Sequence, residues 1–390
     1  MKTIIIGAGA AGLTAAICAA RNKSEVTVIE HEKQAGKKIL MTGNGRCNIT
    51  NEHLDSSMYY GDRKFVDCVL NQFTPADVTA FFQSVGLYTC AKNGYVYPMS
   101  FQAGSVLHML RSTATELGVK IKTNNQIKSI KKEKDKFFVD IGIRLECDYL
   151  IIATGGCSFP KTGSDGSGYD IIRKFHHRII EPRPALTALV CNDNILKKAS
   201  GVRIEAEIAA ENKIQRGELQ ITDYGISGIP VLNLSRLVEP EDYVHIDFLP
   251  RIDENSLADM IFHLISVNRT WMIDDALHGI FHEKLATVIT TTLNIHNQVC
   301  HTLDKNTSEQ IAHLIKNYRV QIQKRRGFDF AQVTAGGVCT DEINAGTMES
   351  KKVKNLYFAG EVIDVDGICG GYNLHFAWAT ATIAGGNCRE

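Results

Sequence analysis

The first thirty residues constrain the chain most. Gly7-Ala8-Gly9-Ala10-Ala11-Gly12 is a G-x-G-x-x-G run. With 32 glycines in 390 residues, chance supplies roughly 0.2 such runs per chain, so the bare pattern is weak. Its setting gives it weight. Residues 3–6 read as a strand, 10–21 as a helix and 26–30 as a second strand, so the glycines fall at a strand-to-helix turn. Glu30 ends that second strand. In such a unit Gly7 permits the tight turn, Gly9 lets the backbone approach a pyrophosphate, and Gly12 allows close packing of helix on strand. Ala10 and Ala11 open the helix, whose free N–H groups and positive dipole end favour phosphate. Glu30 is suited to a ribose diol and repels a 2′-phosphate, which argues against NADP here. The competing reading is a glycine turn with no ligand.

The rest of the chain bears on which dinucleotide is bound. Ile151-Ile152-Ala153-Thr154-Gly155-Gly156 is an apolar strand running into a small polar turn. Near the C-terminus, Leu356-Tyr357-Phe358-Ala359-Gly360-Glu361-Val362-Ile363-Asp364 is a second such strand ending in glycine and acid. Then Gly370-Gly371-Tyr372-Asn373-Leu374 opens a final helix over 371–384, whose N–H groups can stabilise negative charge. Flavoproteins built from two chain ends resemble this order, so FAD is expected rather than NAD. Glu361 and Asp364 are candidates for the ribityl chain or a phosphate. No second strand–G-x-G-x-x-G–helix unit occurs, so NADH or NADPH is expected only as a transient reductant.

Between these ends the texture changes. Helices are expected over 64–72, 75–85 and 103–117, then short strands over 119–122, 126–131, 136–141 and 148–153. From Pro184 short strands follow (186–191, 203–209, 217–222, 243–249), then a mainly helical stretch over 256–318. The expected organisation is an α/β fold. A discontinuous FAD-binding Rossmann-like domain (1–184 and 331–390) carries an inserted β-rich substrate domain (185–250) and a helical lid (251–330).

The loop 34–51 holds further candidates. Thr42, Gly43, Asn44, Arg46 and Asn48 would line the flavin edge. Arg46 or Lys38 would offset charge on the reduced cofactor, and Cys47, as a thiol near cations, is a candidate proton donor. The alternative is that Cys47 packs and Arg46 braces the loop. No histidine reads as a metal ligand, His176-His177 included.

Charge and cysteines narrow the class. Lys plus Arg equals Asp plus Glu at 43 each, so no global field draws nucleic acid or an anionic membrane. The small Lys324-Arg325-Arg326 cluster reads as a solvated turn. The eleven cysteines include no C-x-x-C, against both a disulfide framework and a zinc site. They read as reduced thiols of a cytoplasmic protein. No stretch reaches the ~18 apolar residues of a membrane span.

Several motifs resemble one family nearly end to end: Gly36 through Asn48 with its Gly-Asn-Gly-Arg-Cys-Asn core, Pro160 through Gly166, Tyr224-Gly225-Ile226-Ser227-Gly228, Thr334 through Val338, Thr347 through Lys351, and Phe358 through Asn373. With the opening glycine run these are similar to the BaiN/YhiN-like flavoproteins, also known as aminoacetone-oxidase-like proteins. The resemblance implies a FAD-binding Rossmann domain with an inserted β-rich domain and a helical domain. It also implies one of three chemistries: reducing conjugated double bonds of 3-oxo bile acids, reducing a uridine in ribosomal RNA, or oxidising aminoacetone with oxygen. The first two share one step, hydride transfer to an enone-like acceptor. Charge neutrality favours a small hydrophobic substrate over RNA. A flavin-binding sensor is the non-catalytic alternative. One departure is His375, where many relatives are expected to hold Gln.

Overall fold

The computed structural model describes residues 1–389. The chain forms two compact units: Met1–Pro184 together with the chain from Ala331 onward, and Ala185–Phe330.

The first unit is built on a five-stranded parallel sheet in the order Leu356–Phe358, Tyr149–Ile152, Lys2–Ile6, Glu25–Ile29, Lys120–Lys122. Tyr149–Ile152 is buried along its whole length and Lys2–Ile6 from its second residue on, as expected of parallel strands covered on both faces. Two helices cover the centre. Helix Ala10–Arg21 packs against the C-terminal helix Tyr372–Asn387. They approach so closely that a Cβ on Gly385 would lie 2.4 Å from the Ala15 carbonyl oxygen. A small antiparallel sheet (Ser129–Glu133, Lys136–Asp140, Arg144–Cys147) and a three-stranded one (Thr50–Asn51, Tyr95–Pro98, Thr89–Lys92) flank this centre. Helix Pro75–Ser84 begins with a full capping box, Thr74 and Asp77 bonding each other's backbone N–H groups.

The second unit is a closed six-stranded barrel, in the order Leu189–Cys191, Gly225–Ser227, Lys213–Ile221, Arg203–Ala210, Tyr243–Asp247, Tyr318–Arg325. Helices Glu254–Val267, Ile273–Leu277, Glu283–Thr292 and Lys305–Lys316 intervene before the last strand. The expected division at residue 250 is not found. Strand Tyr318–Arg325 pairs with both Leu189–Cys191 and Tyr243–Asp247, and barrel and helices share one hydrophobic core. Burial alternates at Tyr318, Val320 and Ile322, a strand period that begins where the expected helical stretch 256–318 ends and that is not among the expected strands. The segment after Gly36, read as loop, forms short helical turns at Lys37–Met41 and Thr42–Gly45.

His375 lies in the core of the first unit, not on a ligand-facing wall. Its Nε2–H donates to the Phe73 carbonyl at 2.9 Å, and its Nδ1 accepts from the Thr50 hydroxyl at 2.7 Å. Burial holds its pKa down at about 4. Because this lies below the unfolded value of about 6.5, protonation favours the unfolded chain. The stability His375 supports is complete above pH 6.5 and is lost as pH falls toward 4. The loss is roughly 3 kcal/mol, at about 1.4 kcal/mol per pKa unit. A glutamine can keep one donor and one acceptor without titrating. His375→Gln is therefore expected to remove this component from the acid side of the stability curve, measured by urea unfolding at pH 7 and pH 4.5. An unchanged pH dependence would contradict the assignment.

Candidate functional site

The C-terminal edge of the parallel sheet opens into a cleft within the first unit. Ligands of open α/β sheets bind at such an edge. The glycine turn shapes it. Gly7 has φ +98°, and a Cβ there would sit 2.4 Å from the Ala153 carbonyl oxygen. A Cβ on Gly12 would sit 1.8 Å from the Gly7 carbonyl oxygen, so Gly12 serves packing and does not line the cleft. Gly9 has nothing within 4 Å of its missing Cβ. Gly9, Ala10 and Ala11 line the cleft at the start of a helix that no side chain caps. Free first-turn N–H groups in that position suit a pyrophosphate.

Glu30 also lines the cleft. One carboxylate oxygen accepts from the Ala8 N–H and the other from the Glu32 N–H, each at 2.8 Å. Each oxygen keeps further acceptor capacity, enough for the two hydroxyls of a ribose. Opposite, Ala153, Thr154 and Gly155 form the wall. The Thr154 and Ser164 hydroxyls line it too, and both are buried without a hydrogen-bond partner. Buried orphan hydroxyls mark places where a ligand completes the bonding. The donor set therefore fits the adenosine diphosphate half of FAD.

A charged network braces the wall. Lys38 Nζ lies 2.6 Å from Glu361 Oε2. Glu361 Oε1 accepts from the Ser158 hydroxyl at 2.7 Å and the Thr334 N–H at 2.9 Å. Both residues line the cleft, but Glu361 spends its oxygens on the protein and is a brace. Thr42, Asn373 and Leu374 also line it. Asn373 bonds both backbone groups of Gly367, pinning the first turn of the last helix.

Other candidates lie elsewhere. Gly43, Asn44 and Arg46 are exposed on a turn outside the cleft, with left-handed backbone at Gly43 and Asn44. Gly360, Asp364, Gly371 and Tyr372 do not line it either. Gly360 instead lets its loop approach the first helix, its Cβ position lying 2.8 Å from Ala11 Cβ. Gly371, at φ +97°, sits against the Thr50 carbonyl. The Tyr372 hydroxyl donates to the His53 carbonyl. Cys47 is fully buried, and burial pushes its thiol up to about 12 despite a hydrogen bond to Thr42. That is the reverse of the lowered pKa expected of it, and Cys47 does not line the cleft. His177 bonds Glu342 and Ser350, and no metal-binding cluster occurs among the described residues.

The cleft also holds residues that motif reading missed, among them Asn125, Gln126, Ser167 and Lys174. The Asn125 N–H donates to the Glu30 carbonyl at 2.9 Å. A signal existed: the strand beside Glu25–Ile29 ends at Lys122, so the following loop has to pass the ligand edge. Glu30→Ala is expected to weaken FAD binding by about 1–3 kcal/mol, the scale of lost charge-assisted hydrogen bonds. Fluorescence titration of the apoprotein reads this, with the melting temperature followed because Glu30 also braces two amides. A dissociation constant within about twofold of wild type, against the ~5-fold minimum implied, would remove Glu30 from the site.

Comparison with known proteins follows the same lines. Residues 1–387 match the family described as HI0933-like protein Rossmann domain. A 3-dehydro-bile acid delta(4,6)-reductase of Clostridium scindens is 40% identical, covering 98% of this chain and 97% of its own. A ribosomal RNA dihydrouridine synthase of Escherichia coli is 31% identical, covering 97% and 95%. Among solved structures, a 3-ketosteroid-delta4-(5alpha)-dehydrogenase from Rhodococcus jostii superposes with a TM-score of 0.48 at 14% identity, covering 98% and 95%. With its glycine turn, its cleft and a family match running from the first residue to the last helix, the chain belongs to the HI0933-like Rossmann family, the group whose BaiN-like flavoprotein motifs it carries.

Proposed function

We propose that this protein is an FAD-dependent oxidoreductase that reduces a carbon–carbon double bond conjugated to a carbonyl, in a small apolar substrate of the 3-oxo-Δ4 steroid or bile-acid type. The observation that carries this reading is the 40% identity, over nearly the full length of both chains, to a bile-acid reductase. Bound and reduced, FAD would supply a hydride to the β-carbon of such an enone. The chain's own residues do the rest. Gly7, Gly9 and the uncapped helix start hold the pyrophosphate, and Glu30 orients the ribose. Thr154 and Ser164 supply the remaining polar contacts. Lys38, fixed by Glu361, keeps ammonium N–H groups on the cleft wall, where they can donate to an anionic reduced cofactor. NADH or NADPH binds transiently as the reductant, since the first unit has one glycine turn of this kind. The eleven free cysteines support a reducing, cytoplasmic setting. Among the described residues no helix is long and apolar enough to cross a membrane.

A second reading has its own support. Reduction of a uridine in ribosomal RNA agrees with the Escherichia coli relative. The first unit also gathers Lys131, Lys132, Lys174, Lys352 and Lys354 around one groove, a basic face on a neutral chain. Phosphate contacts dominate RNA affinity, and such a face could make them. The two readings separate in one experiment. Reduced enzyme is incubated with a 3-oxo-Δ4 bile acid and, separately, with unmodified ribosomal RNA, and both products are read by mass spectrometry. Saturation of the steroid is expected. Dihydrouridine in the RNA with the steroid untouched would overturn the choice and leave the flavin assignment standing.

A further inference from the structure

Three consecutive cations on the last barrel strand and the turn after it are used differently. Lys324 is exposed. Arg325 is spent: it donates to Glu239 at 2.7 Å and to the Arg236 carbonyl at 3.1 Å. Arg326 is not. Its guanidinium lies 3.3 Å from the ring centroid of Phe330 and 4.3 Å from that of Tyr224. Among the described residues no carboxylate or carbonyl accepts a bond from its side chain. The acids nearest in sequence, Asp223 and Asp329, are exposed and form no ion pair with it.

The arrangement is held from all sides. The Arg326 N–H donates to the Ala188 carbonyl at 2.9 Å, and its own carbonyl accepts from the Thr187 hydroxyl at 3.1 Å. Tyr224 sits in a tight turn closed by reciprocal bonds between Thr222 and Gly225. Its carbonyl accepts from the Cys191 N–H at 3.0 Å. The turn tolerates nothing but glycine at 225, where φ is +152° and a Cβ would lie 2.3 Å from the Leu189 carbonyl oxygen. Phe330 is fixed by its N–H bond to the Gly327 carbonyl. The Tyr-Gly-Ile-Ser-Gly motif thus presents an aromatic face to an arginine.

A guanidinium held over aromatic rings keeps its planar fork of donors for a partner in the guanidinium's own plane, and that fork matches a carboxylate with two parallel bonds. The rings supply apolar surface beside it, and Phe330 remains exposed. We propose that Arg326 is a recognition residue for the carboxylate of an apolar-bodied ligand. Resting on the reading above, that ligand is the acid side chain of a bile acid.

The test uses the intact holoenzyme and a saturated bile acid, which cannot be reduced, alongside its methyl ester. Calorimetric titration is expected to show the acid binding about 10- to 100-fold more tightly than the ester, as for one charge-assisted bidentate contact. Arg326→Gln should collapse that ratio to near one, Arg326→Lys should recover part of it, and Lys324→Gln should leave it unchanged. Melting temperature and bound flavin report that each variant is folded. Equal affinity of wild type for acid and ester, no binding of the acid, or a ratio unchanged in Arg326→Gln would overturn the proposal. If acid binding depends on Arg326 but no enone is reduced, the reaction reading falls and the binding site stands.

Discussion

Backbone contact at the glycine turn governs the first unit. The Gly7 carbonyl lies under the start of the first helix, where no side-chain atom can stand at residue 12, and Gly7 itself is pressed against the Ala153 carbonyl. These contacts join the first strand, the first helix and the strand ending at Ile152 at one point of the sheet edge. Overpacking a site this close costs about 1–3 kcal/mol or more, so the turn admits few alternatives. Glu30 completes it. Its carboxylate takes the Ala8 and Glu32 amides, tying the end of the second strand back to the turn. The same group that stabilises the loop therefore presents acceptor lone pairs to the cleft.

The late segments of the chain close this centre. Gly360 brings its loop against Ala11, and Gly385 brings the last helix against Ala15. A chain that leaves the first unit at Pro184 and re-enters at Ala331 thus returns to complete the same cleft. Glu361 shows the cost of placing an acid there. It lies partly buried in the wall, where its carboxylate engages Lys38, Ser158 and the Thr334 N–H together. Buried charges persist only when bonded in this way.

Local chemistry was readable wherever a residue type had one physical use. The strand-to-helix glycines, the helix 10–21 and the acid at position 30 all lie where the pattern put them. Reading failed where function depends on packing. Cys47 sits among cations in sequence, yet burial raises its pKa instead of lowering it. The turn 43–46 holds polar residues in a row, yet its left-handed backbone places them outside the cleft. Asn125 and Lys174 carry no motif and reach the cleft through strand order, which no local pattern encodes. The closing barrel strand was lost for a related reason: Tyr318, Val320 and Ile322 alternate clearly, but four helices precede them and its partners lie far away in sequence.

The most direct test of the cleft's assignment is the identity of what it holds. Purified protein, denatured without protease, should release FAD in a ratio approaching one per chain, leaving colourless polypeptide. A protein that is colourless as isolated and gains no flavin absorbance with added FAD would contradict the assignment, as would release of NAD in place of FAD.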